Sequence, residues 1–445
     1  MYRFYNARIL TMANPDKPDI FMGTVYVQDD KILAAVRGDS EESLPLQVRK
    51  EVEEARLQNT LTGIDCGGNL LMPGFKDAHT HSAMTFLRSS ADDMPLQAWL
   101  NEQVFPYEAK LLPEDIRELS KLAILEYLTS GITCAMEMYL TPETIAEAFR
   151  DMGMRLVQVG GVNNFSQSPA LLEKWYNELN GRDPLTSFRL GFHAEYTCSE
   201  DLIEQIAALA HKYKAPVYTH ISETDAETKG CMDRYGKTPV AFLADKGIFD
   251  YGGAGYHLVH TTEEDRDILL RKKICVVTNP GSNTKLASGI APIAEYLKLG
   301  IPVGIGTDGP ASNNCLDMFR EMFLVTGLAK LSLGDAAAVP AYEVLKMATT
   351  NGARIMGLPE TDCIAAGKQA DLILLDLWQP NMQPVNNVAS NIVYSGSKQN
   401  VQMTMVAGKI LYDCFDGKQT FHTRWQPEEI YENCEKIRNR IFSGD

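Results

Sequence analysis

What most constrains this chain is a repeated alternation of eight apolar runs of strand length with amphipathic segments of helix length, between residues 67 and 360. In order the runs are NLLMPGF, GITCAMEM, RLVQVGGV, RLGFHAEY, APVYTHI, GYHLVH, KICVVTN and PVGIGTD. The intervening segments carry helix signals. Over 114–129 a single stripe takes in Ile116, Leu119, Leu122, Ala123 and Tyr127, Ser199 opens 199–213 ahead of Glu200 and Asp201, and Thr261 or Thr262 opens 261–271 ahead of Glu263, Glu264 and Asp265. Eight strand-then-helix units in a row predict a (β/α)8 barrel; the competing arrangement is an open doubly wound sheet. No Gly-x-Gly-x-x-Gly follows the first run, which argues against the open sheet.

The flanks read differently. Residues 1–66 hold short β-like runs and a polar, Glu-rich stretch, and 361–445 hold DLILLDL, NIVYSG and VQMTMVAGKILYDCFDGK between Gly, Asn and Asp turns. The expectation is a central barrel over 67–360 and one small β domain assembled from 1–66 and 361–445.

Composition narrows the function. With 42 Lys and Arg against 58 Asp and Glu the net charge is −16, and no dense basic block appears, so nucleic acid is a poor partner. No run approaches the roughly 18 apolar residues of a membrane helix, and MYRFYNARILTM lacks a signal-peptide layout, so no membrane partner and a cytoplasmic location are expected. Nine scattered cysteines without a Cys-x-x-Cys pair indicate neither a disulfide framework nor a zinc ribbon.

The histidines carry the chemistry, because barrel catalysts sit at the carboxyl ends of strands. His79 and His81 close the first run as His-Thr-His, and in an extended segment residues two apart point to the same side. His220 ends the fifth run, His257 lies in the sixth and Asp308 ends the eighth. Imidazoles and a carboxylate converging on one barrel mouth suit Zn2+ or Fe2+. Glu223, three residues beyond His220, is placed either as a proton shuttle or as a helix cap. Asp308 is suited to accept a proton from water, in a turn tightened by Gly309 and Pro310. His193 and His260 are further candidates for site contact, whereas His211 and His422 read as surface residues.

PGFKDAHTHSAMTFLRSSADDMPLQAWL, THISETDAE, VTNPGSNTKLASGIAP and GIGTDGPASNN together resemble the amidohydrolase superfamily, in its triazine-hydrolase-related and methylthioadenosine/S-adenosylhomocysteine deaminase branch. The resemblance spans essentially the whole chain. It implies an aminohydrolase with one divalent metal ion, Zn2+ or alternatively Fe2+, in a TIM-like barrel beside a composite β-sandwich. By motif position it implies His79, His81, His220 and Asp308 as metal ligands, Glu223 as general acid/base and His257 as the residue that orients water and stabilises the intermediate. The binuclear cyclic-amide hydrolases of the superfamily place a carboxylated lysine at the end of strand four; this chain has no lysine there, although Glu195 stands close by as a candidate bridging carboxylate. Catalytically silent barrel relatives are the non-enzyme alternative, and they lack ligands that are present here.

For substrate, the resemblance implies base stacking by Trp99 and a ribose-diol contact by Glu108, and the strand-end position of His193 makes it a candidate further contact. Where relatives that bind S-adenosylhomocysteine carry an Arg this chain has Gly160, and Glu195 replaces the usual Pro, adding a negative charge beside the pocket. Both departures point to a neutral 5′-substituted adenosine such as methylthioadenosine or deoxyadenosine, with triazines and guanine-like bases as alternatives. The 84–113 insertion is the candidate lid. Large soluble enzymes of this kind are commonly symmetric, so a homo-oligomer is expected.

Overall fold

The computed structural model describes residues 1–90, 92–94 and 98–443. Its strands are β1 (Tyr2–Leu10), β2 (Ile20–Gln28), β3 (Lys31–Arg37), β4 (Thr62–Asp65), β5 (Leu70–Pro73), β6 (Phe75–Thr80), β7 (Ile132–Glu137), β8 (Arg155–Val159) and β9 (Thr186–Ala194). They continue with β10 (Val217–Ile221), β11 (Gly253–His257), β12 (Ile274–Thr278), β13 (Val303–Ile305), β14 (Leu372–Leu375), β15 (Val401–Val406), β16 (Lys409–Asp413) and β17 (Thr420–Phe421).

Strands β6 to β13 form one eight-stranded parallel sheet in sequence order. Its two ends meet at the Thr80–Asp308 bridge, where the Asp308 N–H donates to the His79 carbonyl at 3.0 Å. The sheet is therefore nearly closed, as expected of a (β/α)8 barrel. Fully buried runs such as ITCAME and VYTHI are what a parallel sheet covered on both faces requires.

The predicted helices form. Pro113–Thr129 buries the expected stripe, Ser199 caps Glu200–Tyr213 by accepting from the Leu202 N–H, and Thr262 rather than Thr261 caps Glu263–Lys272.

The first apolar run divides at Gly74. Residues 70–73 leave the barrel and join the other sheet, where β5 pairs parallel with β1 and antiparallel with β14. A Cβ on Gly74 would lie 2.1 Å from Thr133 Cγ2, so only glycine lets the chain cross between the sheets here.

That second sheet has nine strands from both ends of the chain, in the order β17-β16-β15-β14-β5-β1-β2-β3 with β4 beside β1. It is one hydrogen-bonded path, and it encloses its own core of Phe4, Ile9, Val25, Ile32, Leu71, Leu374 and Met403.

Three terminal segments differ from expectation. The Glu-rich stretch contains a helix, Leu46–Leu57; NIVYSG is a helical turn that buries Ile392 and Val393 rather than a strand; and Pro427–Ser443 is a helix. This last helix lies against Pro113–Thr129, with Arg440 paired to Asp115 and Asn433 donating to Glu118 at 3.2 Å. No helix among the described residues is long and apolar enough to cross a membrane.

Candidate metal centre and active site

At the carboxyl end of the barrel, His79, His220, His257 and Asp308 each offer one ligand atom, and the four atoms lie within 4.8 Å of one another. All four residues are buried. His81 belongs to the same cluster of rings, stacked on His220 at 5.4 Å between centroids, with Nε2 3.2 Å from Asp308 Oδ1. The structure thus gathers all five residues that the sequence pointed to. The four-atom set includes His257 rather than His81, which differs from the ligand set implied by motif position.

Three of the imidazoles, those of His81, His220 and His257, are fixed through Nδ1. His81 Nδ1 donates to the Met138 carbonyl (2.5 Å) and His220 Nδ1 to the His193 carbonyl (2.7 Å). A carbonyl only accepts, so Nδ1 carries the hydrogen in both rings and Nε2 is left facing the cavity. His257 Nδ1 pairs with Asn283 Oδ1 at 2.8 Å. His79 packs flat on Tyr256, with 3.8 Å between ring centroids; it is wholly buried, its Nδ1 has no hydrogen-bond partner among the described residues, and its Nε2 has only Asp308 Oδ1, at 3.4 Å. A cation at this point would give one of these nitrogens a partner.

The charge state of these groups bears on what they can bind. Burial holds the His79 imidazole down at about 3 and His220 well below the ordinary range, so both are neutral, the form that binds metal. At His81 burial also pushes downward, but the Asp308 carboxylate outweighs it and holds the group up at about 9. Burial would raise Asp308, yet its contacts to His79 and His81 keep it well below the usual carboxylate range. The neutral rings of His79 and His220 with the Asp308 carboxylate are donors suited to a divalent cation such as Zn2+ or Fe2+, and His81 can join them on giving up its proton.

Strand ends aim these groups through strained backbone. Asp308 (φ 57°), His257 (φ 72°) and Ser222 (φ 53°) all occupy the left-handed region that non-glycine residues rarely adopt. Four buried carboxylates brace the turns. Asp77 accepts from Thr307, Glu137 from the Ser82 N–H (2.8 Å), Glu227 from the Ser222 and Glu223 N–H groups, and Glu321 from the Gly281 N–H (2.8 Å). Burial pushes these acids up, to about 7 for the first three and about 8 for Glu321. None of the four stood out in the sequence: Glu137 and Glu321 lie far from a histidine motif, and Asp77 and Glu227, although inside KDAHTH and THISETDAE, carry no ligand spacing of their own.

Glu223 lines the cavity. Its Oε1 accepts from Ser288 Oγ at 3.2 Å, and Oε2 stands 3.8 Å from His257 Nε2. His260 stays outside the cavity lining; its Nε2 donates to the Ser288 carbonyl at 2.7 Å and so fixes the loop that carries the Glu223 partner. The rest of the lining includes Met84, Trp99, Leu100, His193, Tyr196 and Leu286. Trp99 and His193 therefore reach the cavity as expected. Trp99 Nε1 is buried without a partner among the described residues. Glu108 is not a lining residue; it lies beside Tyr139, with one buried carboxylate oxygen unpartnered among the described residues and burial pushing the group up to about 7. The 84–113 insertion supplies Met84, Trp99 and Leu100 to the lining, while Leu96 and Gln97 of its LQAWL motif fall outside the described residues.

Two sequence arguments are corrected. Glu195 is buried and paired with Arg234 at 2.6 Å, so it neither lines the cavity nor joins the metal cluster, and its charge is already neutralised. A Cβ on Gly160 would meet Leu172 Cδ1 at 2.2 Å, so this position faces the helix Pro169–Leu179 outside the barrel and is closed to a clamp for a packing reason. The exposed His211 and His422 pair with Asp250 and Asp413, as surface residues do.

A model of the amidohydrolase family matches residues 70–411. The chain is 41% identical over 357 residues to the 5-methylthioadenosine/S-adenosylhomocysteine deaminase of Desulforamulus reducens, covering 78% of this chain and 82% of that one. It is 38% identical over 418 residues to the 5′-deoxyadenosine deaminase of Methanosarcina acetivorans, covering 92% of each. Among solved structures, an adenosine deaminase from Xanthomonas campestris with bound zinc superposes with a TM-score of 0.87 at 29% identity, over 99% of this chain and 98% of that one.

Proposed function

This chain belongs to the amidohydrolase family, and from that premise we propose that it is a metal-dependent aminohydrolase that deaminates a neutral 5′-substituted adenosine to the inosine analogue and ammonia. The observation that carries the reading is the converging set His79, His81, His220, His257 and Asp308, with the Glu223 carboxyl facing it across the cavity. His79, His81, His220 and Asp308 are the proposed ligands. His257 is proposed to orient water and hold the oxygen of the intermediate.

A divalent cation bound by these residues supplies acidification of water and polarisation of an oxygen. The chain's own groups do the rest. Asp308 Oδ2 is held by Ser312 Oγ at 2.7 Å, which keeps the carboxylate turned to the cavity as a proton acceptor. Glu223 Oε2 and His257 Nε2, 3.8 Å apart, face the same part of the cavity, where both can reach one reacting group. Glu223 delivers a proton to the ring nitrogen beside the carbon under attack, and further proton transfer releases the amino group as ammonia.

Trp99 offers an indole face for the purine and His193 a polar edge at the rim, while Glu108, outside the lining beside Tyr139, would have to turn its carboxylate into the cavity to meet two ribose hydroxyls. The preference for a neutral tail rests on the lining: among the described residues it holds no Lys or Arg, and Met84, Leu100, Tyr196 and Leu286 make an apolar wall. The nearest cation in sequence, Lys285, is occupied by Asp92 (2.6 Å) and the Ala311 carbonyl (2.9 Å). An anionic amino-acid tail finds no clamp there.

The test is ammonia release from 5′-deoxyadenosine by metal-loaded wild type and Glu223→Gln. The variant is expected to keep its metal and lose about a thousandfold in turnover, within the range of general acid/base catalysis. Full activity of Glu223→Gln removes Glu223 from the mechanism.

A further inference from the structure

Glu223 has little to hold it in place by its own side chain, whose one hydrogen bond among the described residues is to Ser288. Its backbone is held much more firmly. Glu227 stands in the first turn of the helix Asp225–Tyr235, which Thr224 caps by accepting from the Glu227 N–H at 3.1 Å. From there its carboxylate reaches back along the chain: Oε1 accepts from the Ser222 N–H and Oε2 from the Glu223 N–H, both at 2.8 Å. On the other side the Ser222 carbonyl accepts from the Val259 and His260 N–H groups at 3.0 and 2.9 Å. Ser222 sits at φ 53° between these anchors, in a conformation a serine does not hold unaided. Glu227 is buried and does not line the cavity, so it has no route to a substrate of its own.

We propose that Glu227 is a positioning residue, whose two carboxylate oxygens hold the Ser222–Glu223 peptides in the left-handed turn that presents the Glu223 carboxyl to the cavity. This inference rests on the reading of Glu223 as the proton carrier. A carboxylate is needed because two N–H groups converge on it and each takes one oxygen. Glutamine has nearly the same shape and size, but it offers one acceptor and sets its own NH2 against the second N–H. The pair of bonds is lost with the helix otherwise kept.

The experiment is a cycle in metal-loaded enzyme of wild type, Glu227→Gln, Glu223→Gln and the double variant, with kcat, KM and metal content measured for each. Glu227→Gln is expected to lower kcat about a hundredfold, as a roughly 1 Å misplacement does. KM is expected to stay within about threefold and metal content to stay full. The double variant is expected to be no slower than Glu223→Gln alone, because Glu227 acts through that residue. Adding Ser222→Gly to Glu227→Gln is expected to recover kcat about tenfold, since glycine holds a positive φ without the clamp. Should Glu227→Gln fold poorly, Glu227→Asp takes its place in the cycle. Losses that multiply in the double variant overturn the proposal, as does full activity of Glu227→Gln beside an inactive Glu223→Gln. Full activity of Glu223→Gln overturns the proton-carrier reading itself, and the inference with it.

Discussion

Asp77 accepts both the backbone N–H and the hydroxyl of Thr307, at 2.9 and 2.6 Å. This one carboxylate joins β6 to the chain leaving β13, at the seam of the barrel, and it fixes the residue that precedes Asp308. Asp77→Ala leaves the buried Thr307 N–H without an acceptor and its hydroxyl with only the longer contacts to the Asp308 carbonyl (3.2 Å) and Thr80 Oγ1 (3.4 Å). The expected cost is about 2 kcal/mol of stability in urea unfolding, together with metal binding about tenfold weaker, the usual scale for a lost partner behind a ligand.

Removing a proposed ligand is a sharper change. His79→Ala and His220→Ala are each expected to purify with almost no bound divalent metal and to release no measurable ammonia. Dialysis of wild type against a chelator should do the same, and added Zn2+ should restore activity to wild type but not to the variants. Metal analysis beside the ammonia assay checks both statements.

Glu108 is expected to act in binding rather than in chemistry. Glu108→Gln should raise KM for a nucleoside about tenfold with kcat little changed, and Trp99→Ala should do so by a similar factor through lost stacking. A large fall in kcat with unchanged KM would count against these roles.

The pH dependence of folding is expected to reside partly far from the site. Arg155 on β8 meets Asp371, just before β14, through two hydrogen bonds at 2.8 and 2.9 Å, both residues buried. Burial would raise the Asp371 carboxyl, but Arg155 outweighs it and holds the group below its ordinary range. A carboxyl depressed on folding stabilises fully above its unfolded value, about 4, and loses that contribution as pH falls through the lower folded value. Stability of metal-free protein should therefore fall as pH drops below about 4. Asp371→Asn should weaken that slope and cost about 3 kcal/mol at pH 7, because it strands a buried guanidinium.

The parts of the fold and site that could be read from sequence are those with a local signature. Strand-length runs ending in His, His-Thr-His or Asp put ligands at one barrel mouth, and the structure gathers His79, His81, His220, His257 and Asp308 there. The bracing acids are different. What Asp77, Glu137 and Glu321 bind is decided by which turns tertiary packing brings beside them, whereas Glu227 binds N–H groups only four and five residues back, through a turn that no residue pattern announces. Glu195 misled for the reason that hides the first three: its neutralising partner Arg234 lies 39 residues away. The helix Pro427–Ser443 was missed although Ile430, Cys434, Ile437 and Ile441, its buried residues, recur at helical spacing, because the β-like runs before it set the reading of the whole C-terminal segment. NIVYSG was not legible either, because a short apolar run has the same look in a buried strand and a buried helical turn.

The most direct test of the account is ammonia release by Zn2+-loaded protein from 5′-deoxyadenosine, methylthioadenosine, adenosine and S-adenosylhomocysteine, compared as kcat/KM. The account predicts turnover of the neutral adenosines, with S-adenosylhomocysteine at least about tenfold poorer for want of a cationic clamp. Silence on all four nucleosides with metal bound, while guanine or an aminotriazine releases ammonia, would contradict the assignment of the substrate.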